Sequence, residues 1–161
     1  MNTARAEVIA RRLHKITGLP TKLSTICERF NIALRFANLK DVDSYYLFHQ
    51  NKRFIVVNDA HSRTRQRFSI AHEIGHAARY HGPLMFSRES KGFIERPRWQ
   101  EVEANRFAAE LLMPKSELKR HGYLTPKQIA AMCDVSPEAA TYRAIELGWL
   151  QRELAFTILA N

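Results

Sequence analysis

The feature that most constrains this chain is His72-Glu73-Ile74-Gly75-His76, set within a stretch of helical apolar spacing from Ser62 to Tyr80. Side chains four apart on a helix stack on one face, so His72 and His76 can reach one metal ion together. Glu73 lies about 100° round the helix from His72, where its carboxylate can hold a water and take its proton. Phe68, Ala71, Gly75 and Ala78 share the histidines' side of this helix, so the pair faces packed interior. Two inward histidines one turn apart need a partner, and a metal is the usual one. The fold must therefore hold this helix in its core and bring at least one more ligand to it.

A catalytic zinc centre takes three protein ligands and leaves a position open. One known extension of the motif puts a histidine six residues after the second histidine, with a glycine between; here Gly82 and Arg79 occupy those places, which excludes it. His81 is one residue off and about 140° round from His76, and reads as a surface residue or a support for the ligands. The other solution is a glutamate from a later helix, and Glu101 and Glu103 stand in the predicted helix from Trp99 to Met113. Glu101 shares a stripe with Ala104, Asn105, Ala108 and Leu112, whose small or apolar side chains permit close helix packing. Glu103 points the opposite way with Arg106 and Glu110, a face expected to meet solvent. Glu101 is therefore the expected third ligand. Asn105, one turn on, can hydrogen-bond the free ring nitrogen of a ligand histidine. Tyr80, Tyr45 and Tyr46 are unranked candidates for a second donor to a developing oxyanion. Two imidazoles and a carboxylate suit Zn2+, with Mn2+ or Fe2+ also accepted.

The rest of the chain reads as a frame for that site. Thr3 to Ile16 predicts an amphipathic helix with Val8, Ile9, Leu13 and Ile16 inward, and Lys22 to Phe30 a shorter one. Ile32 to Phe36 predicts a strand, and Tyr45 to His49 with Arg53 to Asn58 a hairpin. Leu84 to Arg98 is a long connection between the two ligand-bearing helices. In the tail, Thr125-Pro126-Lys127-Gln128 is a capping box, Ser136-Pro137-Glu138 opens another helix, and Gly148 closes it. Helices flanking a small antiparallel sheet predict an α+β domain, with a zincin-like helical core and a C-terminal helix pair. The expected organisation is one domain, 1–161, with helices and sheet in 1–60, metal-site helices in 61–114 and a helical tail in 115–161.

Composition excludes several classes. With 45% apolar and 25% charged residues the chain is neither disordered nor collagen-like. No run of about 18 apolar residues offers a membrane span, and the first helix carries Arg5, Glu7, Arg11 and Arg12, which no signal-peptide core tolerates. Cys27 and Cys133 are isolated and predict reduced core thiols, hence a cytoplasmic setting. The net charge of +9 is concentrated in residues 1–65, where twelve Lys and Arg face five Asp and Glu. Arg11, Arg12, Arg63, Arg65 and Arg67 are expected to steer an acidic partner.

Taken together, His72 to His76, the stretch Glu101-Val102-Glu103-Ala104-Asn105-Arg106-Phe107-Ala108-Ala109-Glu110-Leu111-Leu112-Met113-Pro114, and Arg67 to Ala71 resemble the ImmA/IrrE metallopeptidases. The resemblance covers about Thr3 to Leu150. It implies that His72, His76 and Glu101 bind zinc, that Glu73 is the general base, and that the substrate is a helix-turn-helix transcriptional repressor of a phage, mobile element or stress response.

A second class competes. Ile129 to Ala140 has helix-turn-helix spacing in a basic protein, which would suit a DNA-binding regulator with a structural metal. Only Thr141, Tyr142 and Arg143 of its second helix could read bases, and Glu138 would repel phosphates. DNA contact is therefore a secondary expectation beside peptidase chemistry.

Overall fold

The computed structural model describes residues 3–79, 81–82, 86–87, 92–93 and 96–151. Two helices, α1 (Thr3–Thr17) and α2 (Leu23–Arg29), precede strands β1 (Ile32–Ala37), β2 (Ser44–His49) and β3 (Lys52–Asn58). Helix α3 (Arg63–Ala78) carries the histidine pair; α4 (Arg98–Leu112) carries Glu101 and Asn105. Between them β4 (Phe86–Ser87) pairs antiparallel with β5 (Gly92–Phe93), a small ladder inside what the sequence reads as plain connection. Helices α5 (Lys115–Arg120), α6 (Pro126–Cys133) and α7 (Pro137–Glu146) follow. No described helix is long and apolar enough to cross a membrane.

The α+β class stands, but the sheet is mixed rather than antiparallel. Its order is β1-β3-β2: β2 and β3 form the antiparallel hairpin, whereas β1 runs parallel to β3. Gln50 and Asn51 both take positive φ, 47° and 60°, in the two-residue loop whose twist matches the flanking strands. The parallel pairing arises because the chain after β1 crosses to the far edge before returning. Asn58, wholly buried, pins that crossover: its amide donates to the carbonyls of Lys40 and Val42 at 3.0 and 2.9 Å, and its backbone N–H donates to Asp43 O at 2.9 Å. A buried amide with all these partners is a register device, and nothing in local periodicity announces it.

Strand alternation puts Ser44 and Tyr46 of β2 on one face with Ile55 and Val57 of β3, and that face covers α3. Helix α3 packs on α4, and α4 in turn on α1. The inward face of α1 differs from the one expected. Ala6, Ala10, Leu13 and His14 are buried, while Val8 and Ile16 are exposed. Small alanines let α1 approach α4 closely, a role that hydrophobicity weighting misses.

Gly75 makes the contact between α3 and α4 possible. A Cβ at this position would stand 3.1 Å from Phe107 Cδ1 and 3.2 and 3.3 Å from Ala104 Cα and O. Two of those neighbours are backbone, so the helices themselves would have to separate. Gly75→Ala is expected to cost about 1–3 kcal/mol, as overpacking does elsewhere, despite alanine's better helix propensity. Denaturant unfolding checks this; equal or greater stability would show that the helices can part freely.

Candidate metal centre

Three donor groups converge where α3 meets α4. His76 Nε2 lies 3.0 Å from His72 Nε2, and Glu101 places Oε2 3.1 Å from His72 Nε2 and Oε1 3.3 Å from His76 Nε2. One ligand atom from each residue fits within a 4.8 Å cluster, the spacing a single ion needs. His76 is fully buried, His72 nearly so, and Glu101 half-exposed, so the cluster opens to solvent on the glutamate side.

Each histidine uses its other nitrogen elsewhere. His72 Nδ1 is 2.9 Å from Asn105 Oδ1, the contact expected from the shared stripe of Glu101 and Asn105. His76 Nδ1 is 3.0 Å from Nδ1 of His81. Both rings are thereby turned with Nε2 inward, and the donor set fits a divalent ion with room for further ligands.

Charge is distributed accordingly. Hydrogen bonds from His72 and His76 hold the Glu101 carboxyl well below the usual carboxylate range. Burial drives the His76 imidazole down to about 4, which keeps it neutral and able to ligate at physiological pH. At His72 burial also pulls downward, but the hydrogen bond to Glu101 and the charges of Glu73 and Glu101 outweigh it, and the net shift is upward. Burial raises Glu73, against the opposing pull of His72, Arg96 and a hydrogen bond from Ser44. A buried carboxyl with a raised pKa is a stronger base than an exposed one.

Glu73 has two supports that sequence reasoning missed. Ser44 Oγ donates to Oε1 at 2.9 Å, and Arg96 Nη1 stands 3.8 Å from Oε2. Oε2 is buried and has no hydrogen-bond partner among the described residues. Ser44 could not be found without the register of β2, nor Arg96 from a connection with no periodicity.

Other expectations divide. Tyr46 is a core residue of the sheet face covering α3, and Tyr45 stands on the opposite face beside Val56. Tyr80 lies outside the described residues. Glu103 does point away from Glu101, but it does not meet solvent: it is buried against Arg79, whose Nε and Nη2 both reach Oε2 at 3.1 Å. Glu110 is buried too, paired with Arg143 of α7 and, at 3.3 Å, with Arg11 of α1. That helix face is an internal ionic layer, legible only when its cationic partners on other elements are known.

The tail fares similarly. Its capping box and its Ser136 cap form as expected, and Gly148, φ +73°, ends α7. Of the possible base readers, however, Thr141 and Arg143 are buried; Tyr142 alone of the three is exposed. Of the arginines expected to steer a partner, Arg63 and Arg65 stay largely exposed within surface ion pairs, whereas Arg67 is mostly covered. Arg63 pairs with Asp134, Arg65 with Asp43, and Arg67 binds Asp134 and the Thr21 carbonyl. Cys27 and Cys133 are buried free thiols, each pushed up to about 12 by burial.

A histidine pair on one helix and a glutamate from the next form a candidate metal site beside a mixed sheet, and comparison places the domain. The chain belongs to the IrrE N-terminal-like domain family, a peptidase family whose model matches residues 27–144. It is 32% identical over 106 residues to the "Uncharacterized immunity region protein 2" of Bacillus phage phi105, covering 62% of this chain and 64% of the phage protein. Among solved structures, a Mycobacterium tuberculosis transcriptional regulator superposes on 87% of this chain with a TM-score of 0.63 and 16% identity, a likeness of fold. This chain spans 46% of that regulator's length.

Proposed function

We propose that this protein is a metal-dependent endopeptidase in which His72, His76 and Glu101 hold a divalent ion, zinc before manganese or iron, and Glu73 is the general base. The convergence of three ligand atoms beside a buried carboxylate, whose Oε2 has no hydrogen-bond partner among the described residues, is the observation that carries this reading. When bound, such an ion supplies a Lewis acid that polarises a peptide carbonyl and acidifies water. Glu73 Oε2 then accepts the proton of the attacking water and returns it to the leaving amine, while Ser44 fixes Oε1 and prevents the carboxylate from swinging away. Arg96 keeps a positive charge beside the same group.

The substrate we infer is a protein, and specifically a transcriptional repressor, acted on in the cytoplasm. Family membership and the likeness to a phage immunity-region protein support this class. A groove of about 680 Å3 lies between the start of α3 and the tail helices, lined in part by Asp43, Arg65, Phe68 and Tyr142 and by none of the metal-site residues. DNA contact stays secondary in this reading, since two of three candidate base-reading side chains are interior.

Purified protein is expected to carry about one equivalent of divalent ion, lost in His72→Ala, His76→Ala and Glu101→Ala. Co-expression with a repressor encoded beside it should yield fragments that disappear on chelation. Full metal content retained in Glu101→Ala would overturn the ligand assignment, and fragments that persist after chelation would overturn the mechanism.

A further inference from the structure

Helical angle alone places His81 at the surface or behind the ligands; its surroundings say more. Its side chain is 4% exposed and sits past the end of α3, where its backbone N–H donates to His76 O at 3.0 Å. Its Nδ1 is 3.0 Å from Nδ1 of His76, on the side of that ring away from His72 and Glu101. Its Nε2 stands 3.3 Å from Glu103 Oε2, an ion-pair distance without hydrogen-bond alignment, and Arg79 closes on the same carboxylate oxygen. Trp99 lies edge-on to the His81 ring, centroids 5.4 Å apart. Four side chains from the end of α3 and the start of α4 thus form one buried chain: His76, His81, Glu103, Arg79.

Two imidazole nitrogens 3.0 Å apart must share one proton, so one donates and the other accepts. With an ion held at its Nε2, His76 would carry its proton on Nδ1 and donate it to Nδ1 of His81. The proton of His81 would then sit on Nε2, on the side of the Glu103 carboxylate. Arg79 holds the Glu103 carboxylate in place from two nitrogens, each 3.1 Å from Oε2.

We propose that His81, oriented by Glu103 and Arg79, is the positioning residue that fixes His76 in its metal-ligating tautomer, and that the buried face of α4 exists to hold it there. This rests on the metal-centre reading of His76. His81 is not itself a ligand, because its nearer nitrogen meets His76 on the wrong side of the ring. The ionic layer on α4 accordingly acts at the site through the back of a ligand, which explains a buried carboxylate two residues from Glu101 with no path to the ion.

The test uses full-length protein and Zn2+ as the probe. His81→Ala should weaken zinc binding, measured by chelator competition, by about 10- to 100-fold, the usual cost of losing the partner of a ligand histidine. His81→Asn, whose amide oxygen can accept from His76 Nδ1, should recover part of that loss; a purely structural role would not favour one over the other this way. In zinc-loaded wild type, nitrogen NMR should show His76 protonated at Nδ1 and a scalar coupling across the hydrogen bond to His81 Nδ1. That measurement needs no variant to fold. Unchanged zinc affinity in a folded His81→Ala, or an unprotonated His76 Nδ1, would overturn the relay while leaving the metal centre intact. A wild-type protein that binds no zinc would instead overturn the metal reading itself.

Discussion

Glu73→Gln is expected to lower peptide cleavage at least about a hundredfold, the lower end of what a positioned general base contributes. The substitution is nearly isosteric, and the amide oxygen can still accept from Ser44 where Oε1 now does at 2.9 Å. What is lost is the basic oxygen, Oε2, which is buried without a hydrogen-bond partner among the described residues. Position 73 lies outside the ligand cluster, so metal content should match wild type. Folding should not suffer either: removing a carboxylate that burial already disfavours relieves a desolvation cost, at the expense of the 3.8 Å attraction to Arg96. Uncleaved substrate should remain bound, which makes this variant a trap for the natural partner. Metal analysis, thermal unfolding and timed cleavage of a co-purified repressor read these outcomes separately. Full cleavage by Glu73→Gln with metal in place would end the general-base assignment. Full cellular activity without any cleavage would instead return the protein to the regulator class.

What could be read without coordinates is what depends on one element at a time. The i, i+4 pair His72 and His76 needs only helical geometry, and choosing Glu101 over Glu103 needs only the stripe that Glu101 shares with Ala104, Asn105 and Ala108. The same holds for the tail caps, where Thr125 and Gln128 satisfy each other locally. The errors concern relations between elements. Glu103 and Glu110 look like a solvated face because carboxylates seldom go inside unpaired, and their partners Arg79, Arg11 and Arg143 lie on other segments. The parallel placing of β1 depends on Asn58 capturing the carbonyls of Lys40 and Val42. Ser44 becomes part of the site only when β2 takes the sheet edge next to α3. Burial of charge and strand order are settled by packing, and a periodic pattern carries no trace of either.

The second large effect follows from that buried ionic layer. Glu110 and Arg143 form an ion pair in which both side chains are all but fully inside, and it ties α7 to the helix that carries Glu101. Arg143 also donates from Nε to the Met113 carbonyl at 2.8 Å, while Glu146 and Arg11 complete the group at its edges. Taking one charge away leaves the other buried and under-paired, which costs about 3–5 kcal/mol in comparable cases. Arg143→Met should therefore destabilise the fold by that amount in denaturant unfolding, and Glu110→Leu by a similar one. The double variant, Glu110→Leu with Arg143→Met, removes both charges and should lose clearly less than the sum of the singles, because neither desolvated ion is then left alone. An arginine that faced DNA would behave differently. Its loss would barely move stability and would weaken duplex binding with a changed salt dependence. A cost below about 1 kcal/mol for Arg143→Met, typical of exposed ion pairs, would show that α7 is held more loosely than the packing indicates and would reopen its second helix as a reading surface. A cost in the higher range, with cleavage impaired only as far as folded protein is lost, makes α6 and α7 a buttress behind α4, with Arg143 holding that helix against α3 where the ligands meet.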